Sequence, residues 1–149
     1  MNELENKILD ELSSSPKEYL ENCLNNYSDY LKVAQKLFKE SYIKMQLFDS
    51  EGDPWLRFNS KAEEFRKIND LNKEIELLEL AIKKGIYTPY TYERLAIIYS
   101  KNKELQKAYR VCKNWFDSPF WMIPNMASTS LKLFERMKKL ESKDRKSVV

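Results

Sequence analysis

The stretch of sequence that decides the fold is TPYTYERLAIIYSKNKELQKAYRVCKNWF, residues 88–116. Its pattern of aromatic, aliphatic and small residues also occurs 34 residues earlier, in PWLRFNSKAEEFRKINDLNKEIELLELAI, residues 54–82. A period of this length indicates that two supersecondary units of the same kind stack on each other. The paired positions are Phe58 and Tyr92, Ala62 and Ala96, Phe65 and Tyr99, Leu71 and Leu105, Ile75 and Tyr109, Leu78 and Cys112, and Ala81 and Trp115.

The composition of the 149-residue chain favours a single all-α domain. Hydrophobic residues make up 42% of the chain and aromatic residues 13%, which is typical of a globular protein and not of a disordered one. The chain has only 2 glycines, whereas a β fold rich in hairpins needs many positive-φ turns. We therefore expect one helical domain over residues 1–149.

Residues 1–48 do not repeat, and their pattern predicts additional N-terminal helices. Apolar residues recur at helical spacing from Leu4 to Leu12. The sequence SPKE at residues 15–18 then predicts a capping box, with a serine cap, a first-turn proline and a glutamate three residues after the cap. A dense apolar run from Tyr30 to Phe48 predicts a helix that packs between neighbours.

The repeating part of the chain covers residues 55–141 and contains two helix pairs and a capping helix. The first pair turns at Asn69-Asp70 and ends at Gly85, which is suited to a left-handed helix end. The second pair begins at Thr88-Pro89 and turns at Asn102-Lys103. A last helix from Pro124 to Lys143 continues the register, and residues 142–149 are expected to be a frayed tail.

A strong break, Asp49-Ser50-Glu51-Gly52-Asp53-Pro54, separates the two parts. Its alternating acids suggest a cation loop, but an EF-hand needs several more ligands and a bidentate glutamate further on. Asp53 before Pro54 is better interpreted as the N-cap and first-turn proline of the next helix.

The first helix of residues 88–116 has a large aromatic, a leucine, a small residue and another aromatic at Tyr92, Leu95, Ala96 and Tyr99. This order resembles the first helix of the tetratricopeptide repeat, and Ala108 matches a small position in the second helix of that repeat. Small residues at these positions let two helices approach closely. The departures from the repeat pattern are Lys61, Glu74 and Trp115.

The resemblance implies antiparallel helix pairs that stack as a short right-handed solenoid. It also implies a groove on the inner side of each first helix, which binds a partner protein or peptide without catalysis, as an adaptor or regulator does. An ordinary solvated helix face would have a similar composition. The candidate partner-binding residues are Asn59, Glu63, Arg66, Lys67, Tyr90, Glu93, Ile97, Lys101 and Phe134, together with Leu56, Ser100, Ala127 and Leu131.

The net charge of +3 is concentrated at the C-terminal end of the chain. From residue 132 onward there are seven basic and three acidic residues, a charge of +4, so residues 1–131 sum to −1. A basic helix end complements the helix dipole, and it also favours an anionic partner such as nucleic acid as an alternative function. The residues of this alternative patch are Lys132, Arg136, Lys138, Lys139 and Lys143.

Catalytic motifs are missing from the sequence, which contains no histidine. This excludes Ser-His and Cys-His nucleophiles and most zinc sites, and two isolated glycines cannot form a phosphate-binding loop. We expect no enzyme activity, no cofactor and no metal. A small phage or mobile-element inhibitor of a host complex is a third interpretation that these absences leave open.

Cys23 and Cys112 lie at hydrophobic positions and predict buried free thiols in a reducing compartment. No apolar run has the length of a membrane span and no signal peptide is visible, so the expected location is cytoplasmic. The aromatic segment Trp115–Ile123 predicts either a connection folded back on the core or an interface anchor, and we favour the first. A short solenoid with an open end also permits a homodimer.

Overall fold

The computed structural model describes the backbone of residues 2–50 and 54–148 and the side chains of residues 2–45 and 57–143. All regular secondary structure in these ranges is helical. The fold is therefore all-α, as the composition predicts. The helices are α1 (Glu3–Ser14), α2 (Pro16–Asn25), α3 (Tyr27–Leu37), α4 (Lys39–Ser50), α5 (Pro54–Lys67), α6 (Leu71–Lys83), α7 (Pro89–Lys101), α8 (Leu105–Phe116) and α9 (Ala127–Val148), with a 3₁₀ turn at Pro124–Met126.

The turns inside the two helix pairs have the same backbone geometry. Asn69 and Lys103, which are 34 residues apart, both have φ of 59°. In the first turn the Asp70 amide donates to the Phe65 carbonyl over 2.9 Å, and the Glu104 amide makes the equivalent 2.9 Å bond in the second. These bonds belong to a Schellman motif, which satisfies carbonyls at the end of each first helix.

The turns that follow the two helix pairs differ from each other. Gly85 ends α6 with φ of 74°, a left-handed conformation that glycine adopts without strain. The position 34 residues later is Pro119, whose ring fixes φ near −65° and prevents the same turn. The chain after α8 therefore takes another path, although Ile86 and its counterpart Phe120 are both buried.

The main core lies between the helix pairs and α9. Ala62, Ala96 and Ala108 are completely buried, as close helix packing requires. The rings of Tyr92 and Trp115 pack with their centroids 5.1 Å apart. Large aromatic rings therefore fill the space beside the small residues.

The segment Trp115–Ile123 folds back on the core, which confirms the favoured prediction. Trp115, Phe120 and Ile123 are buried, and the ring of Trp121 packs edge-on against Phe116. The indole of Trp115 donates to the Ser130 hydroxyl over 2.9 Å. The aromatic connection is therefore part of the core and not an exposed anchor.

A second core joins the N-terminal helices to α9 and to the connection that precedes it. Ile8, Leu20 and Cys23 are fully buried there. The hydroxyl of Tyr19 donates to the Met122 carbonyl over 2.6 Å, linking residues 103 positions apart. The N-terminal helices thus pack on the end of the repeat region that follows α8.

One predicted helix is divided in two. The apolar run from Tyr30 to Phe48 is interrupted at Phe38, where φ is −113° and ψ is 41°. No proline or glycine marks the break in the sequence. The change of direction lets Leu37 and Phe38 pack in the N-terminal core while Tyr42 and Met45 pack against the main core.

Two helix ends also differ from the prediction. Ser15 precedes α2 and Pro16 begins it, but the Ser15 side chain makes no capping hydrogen bond, so the capping box is not formed. Helix α9 continues to Val148, five residues beyond the predicted end at Lys143. The predicted N-cap at Asp53 lies outside the described residues.

Candidate functional site

A cleft of about 240 Å³ lies between α5 and α7, which are the first helices of the two pairs. The two helices end at Lys67 and Lys101 and are followed by the left-handed residues Asn69 and Lys103, so a shift of 34 residues relates equivalent positions on the two helices. Five of the nine predicted partner-binding residues line this cleft. The lining residues are Arg66, Tyr90, Glu93, Arg94, Ile97 and Lys101.

Several polar residues of the predicted groove are engaged in holding neighbouring first helices together. The Thr91 hydroxyl donates to Asn59 Oδ1 over 3.1 Å, which joins α7 to α5. On the other side of α7, the Thr129 hydroxyl donates to the Glu93 carboxylate, and Arg136 donates to the Ser100 hydroxyl over 3.0 Å. Asn59, Glu93 and Ser100 therefore have partners inside the chain.

A buried ion pair lies beside the cleft. Glu74 is 1% exposed, and its carboxylate accepts hydrogen bonds from Arg94 Nε at 2.7 Å and from Arg94 Nη2 at 3.1 Å. Hydrogen bonding to this carboxylate raises the pKa of the Arg94 guanidinium. The pair neutralises Arg94, so this arginine contributes little charge to the cleft.

The remaining cations of the cleft are free. Arg66 and Lys101 have no carboxylate within ion-pair distance among the described side chains. The half-buried side chain of Ile97 also lines the cleft, and the buried Tyr90 hydroxyl oxygen has no hydrogen-bond partner among the described residues. Two free cations beside an apolar surface can hold carboxylates that flank a hydrophobic side chain.

The other candidates lie away from the cleft. Glu63 and Lys67 are exposed on α5 but do not line it. Phe134 packs against the N-terminal core, with its ring centroid 6.0 Å from that of Phe116. Ala127 and Leu131 pack in the same core, so the N-terminal helices cover this side of α9. The side chain of Leu56 is outside the described residues.

Four of the five basic residues predicted as an anionic-partner patch share one face of α9. Successive helix positions turn by about 100°, which groups residues 132, 136, 139 and 143 and places Lys138 on another side. Lys138 lies over the ring of Phe134 and within 3.5 Å of the Glu141 carboxylate. Because Arg136 is bonded to Ser100, the face continues toward Lys101 on α7. The grouped residues are Lys132, Arg136, Lys139 and Lys143.

The sequence did not reveal the role of Arg94 or the covering of α9. In the sequence, Glu74 was notable only because it stands where the repeat pattern has a small residue. Its partner, Arg94, lies 20 residues later on the next helix pair. A charged residue at a core position is a signal that an opposite charge lies nearby, since unpaired buried charges are costly. The N-terminal helices cover one side of α9 through contacts between residues far apart in the sequence, and no local sequence signal predicts such contacts.

The two cysteines are buried free thiols, as predicted. Burial raises the pKa of Cys23 to about 12 and that of Cys112 to about 11, so both remain protonated at neutral pH. The described side chains contain no cluster of three or more histidine, cysteine or acidic residues able to hold a metal ion. In the part of the chain that the structure describes, no helix has the length and apolarity needed to cross a bilayer.

Comparisons of the chain with protein-family models, with curated proteins and with solved structures found no match. The likeness to the tetratricopeptide repeat therefore rests on the residues and geometry of this chain alone.

Proposed function

We propose that this protein is a non-catalytic adaptor or regulator that binds an acidic, partly apolar segment of a partner protein in the cleft between α5 and α7. The observation that carries the proposal is that Arg66 and Lys101, which line the cleft with Ile97, have no carboxylate partner among the side chains that the structure describes. The repeated turns at Asn69 and Lys103 support a tetratricopeptide-like stacking of the helix pairs.

The chemistry of the cleft favours an acidic segment over a basic one. Arg66 and Lys101 are two cations against one acid, Glu93, which accepts a hydrogen bond from Thr129. Glu74 and Arg94 offset each other, so the cleft has an excess of positive charge. A hydrogen bond between charged groups contributes about 1.5–3 kcal/mol, and less where water reaches it. An apolar side chain packed on Ile97 would add to this modest electrostatic attraction.

The test is affinity capture from an extract of the source organism. The wild type is expected to retain a stoichiometric partner protein, and Arg66→Glu combined with Lys101→Glu is expected to lose it. A matched control reverses the charge of Lys7 and Lys113, which are exposed, lie outside the cleft and have no ion-pair partner among the described side chains. Equal capture by both double variants would contradict the proposal.

A second candidate function is the binding of nucleic acid by the basic face of α9. The observation in its favour is that Lys132, Lys139 and Lys143 lie on one face and have no carboxylate partner among the described side chains. For binding of this kind, the logarithm of the association constant falls linearly with the logarithm of the salt concentration, and the number of phosphates contacted sets the slope. Absence of retention on single- or double-stranded DNA and RNA at low salt would exclude it. A Lys132→Glu, Lys139→Glu variant should abolish any retention observed.

A further inference from the structure

A ridge on the outer surface of α6 consists of Glu76, Leu80 and the C-cap residue Lys84, which follow one another at one-turn spacing. Leu80, in the last turn of α6, is 41% exposed. A groove of about 290 Å³ lies on one side, lined in part by Phe65 and Leu77. On the other side, a groove of about 490 Å³ extends to Arg110 on α8. The ridge thus has a groove on each side, the shape that helix packing uses.

The charges of the ridge have no carboxylate or cation partner within the described part of the chain. The Lys84 ammonium lies 6.0 Å from the centre of the Phe58 ring, and the Glu76 carboxylate has neither a hydrogen bond nor an ion pair with any described residue. The neighbouring Glu79, in contrast, accepts hydrogen bonds from Tyr99 and Arg110. Glu76 and Lys84 therefore both lack an oppositely charged partner in the described part of the chain.

We propose that a second copy of this chain packs on the ridge, with its own α6 antiparallel to the first and a two-fold axis at Leu80. A two-fold interface uses the same patch on both copies. Antiparallel pairing about Leu80 brings Glu76 of each copy opposite Lys84 of the other, which forms two identical ion pairs on either side of a leucine contact. Parallel pairing would bring like charges together.

The size of the ridge indicates a weak dimer. A helix of 13 residues is about 20 Å long, so the ridge and its grooves cover less than the roughly 800 Å² per partner of a standard interface. We expect a reversible monomer–dimer equilibrium that depends on protein concentration and weakens as salt screens the ion pairs.

The first experiment is sedimentation equilibrium over a wide range of protein concentration. The wild type should dimerise reversibly, and Leu80→Glu should be monomeric at every concentration with an unchanged circular dichroism spectrum. The control is Leu24→Glu, because Leu24 on α2 is 46% exposed and lies far from α6 in sequence. A wild type that remains monomeric throughout, or a Leu80→Glu dimer, overturns the proposal.

A charge exchange tests the antiparallel arrangement itself. Glu76→Lys and Lys84→Glu should each weaken dimerisation at least tenfold, because each places like charges opposite each other. The variant with both changes should recover most of the affinity, since the two ion pairs re-form with their signs exchanged. Failure to recover would contradict the two-fold axis at Leu80. The cleft variant with Arg66→Glu and Lys101→Glu should dimerise as the wild type does, which keeps this inference separate from the proposed function.

Discussion

The two helix pairs have the same turns but very different burial. In α7, six residues are buried, among them Tyr92, Leu95 and Tyr99. In α5, Ala62 is the only buried residue among the described side chains, and Phe65, the counterpart of Tyr99, is only partly buried. The inner pair packs against α9 as well as against the outer pair. Burial is therefore set by the neighbours of a repeat and not by the repeat pattern alone.

This difference explains where the proposed interfaces lie. The cleft is formed where the outer pair meets the inner pair, and the ridge is on the outer pair. The side of α9 that would continue the groove is already covered by the N-terminal helices. When only a few helix pairs are stacked, the surface that remains exposed for partner binding thus depends on which end of the stack the non-repeating helices cover.

The largest expected effect concerns Glu74, an acid of the outer pair that stands where the inner pair has Ala108. Arg94→Met should lower the free energy of unfolding by about 3–5 kcal/mol, because it leaves a buried carboxylate without its partner. Glu74→Ala combined with Arg94→Met should recover much of the loss. Chemical denaturation measures both.

The control for this prediction is Arg110→Met, which breaks the more exposed pair with Glu79 and should cost less than about 1 kcal/mol. Equal losses for the two arginine variants would show that burial does not distinguish the pairs.

The next effect compares equivalent aromatic positions. Tyr99→Ala should cost about 3–4 kcal/mol, since Tyr99 is 4% exposed and the change leaves a cavity. Phe65→Ala should cost clearly less, because its ring is only partly buried and water can fill the space. Urea denaturation of both variants gives the comparison. A larger loss for Phe65 would reverse the order of burial described above.

A smaller effect is expected from overpacking the alanines. Ala96→Leu should cost roughly 1–3 kcal/mol, because the helices of the inner pair are enclosed on both sides. Ala62→Leu at the equivalent position should cost less, since the outer pair can move outward. Thermal unfolding of the two variants measures this. A neutral Ala96→Leu would mean that the helices do not approach closely at this position.

The smallest effect is a loss of stability at alkaline pH that comes from Cys112. Its pKa is raised from 9.0 to about 11 by burial, so the folded chain keeps a proton that the unfolded chain releases. The stabilisation is complete below pH 9 and is lost as the pH rises toward 11, and at pH 10 the loss is about 1 kcal/mol. The fall in unfolding free energy between pH 8 and 10 should therefore be smaller in Cys112→Val. An identical fall in the two proteins would contradict the buried-thiol account.

The sequence predicted the helix pairs well because local signals mark their ends. Prolines begin α5 and α7, and Gly85 and the turn at Asn69 stop the helices where the backbone has positive φ. The break at Phe38 had no such signal, since it depends on which of two cores each side chain joins. Helix ends without a proline, glycine or capping side chain are therefore the least predictable part of this fold.

The candidate site was predictable only in part. The resemblance to the tetratricopeptide repeat implied that Arg66, Ile97 and Lys101 lie in one groove, and these residues do line a single cleft. The sequence could not show that Phe134 packs against the N-terminal core, because that contact comes from helices more than 100 residues earlier. It also could not show that Arg94 is held by Glu74 and so contributes little charge.

The most direct test of the central claim is the dissociation constant of the captured partner, measured by calorimetry. Arg66→Glu with Lys101→Glu should weaken binding at least tenfold, which corresponds to about 1.4 kcal/mol, while reversal of Lys7 and Lys113 should leave the constant nearly unchanged. A constant unaffected by the cleft variant, or changed equally by both variants, would contradict binding through the cleft between α5 and α7.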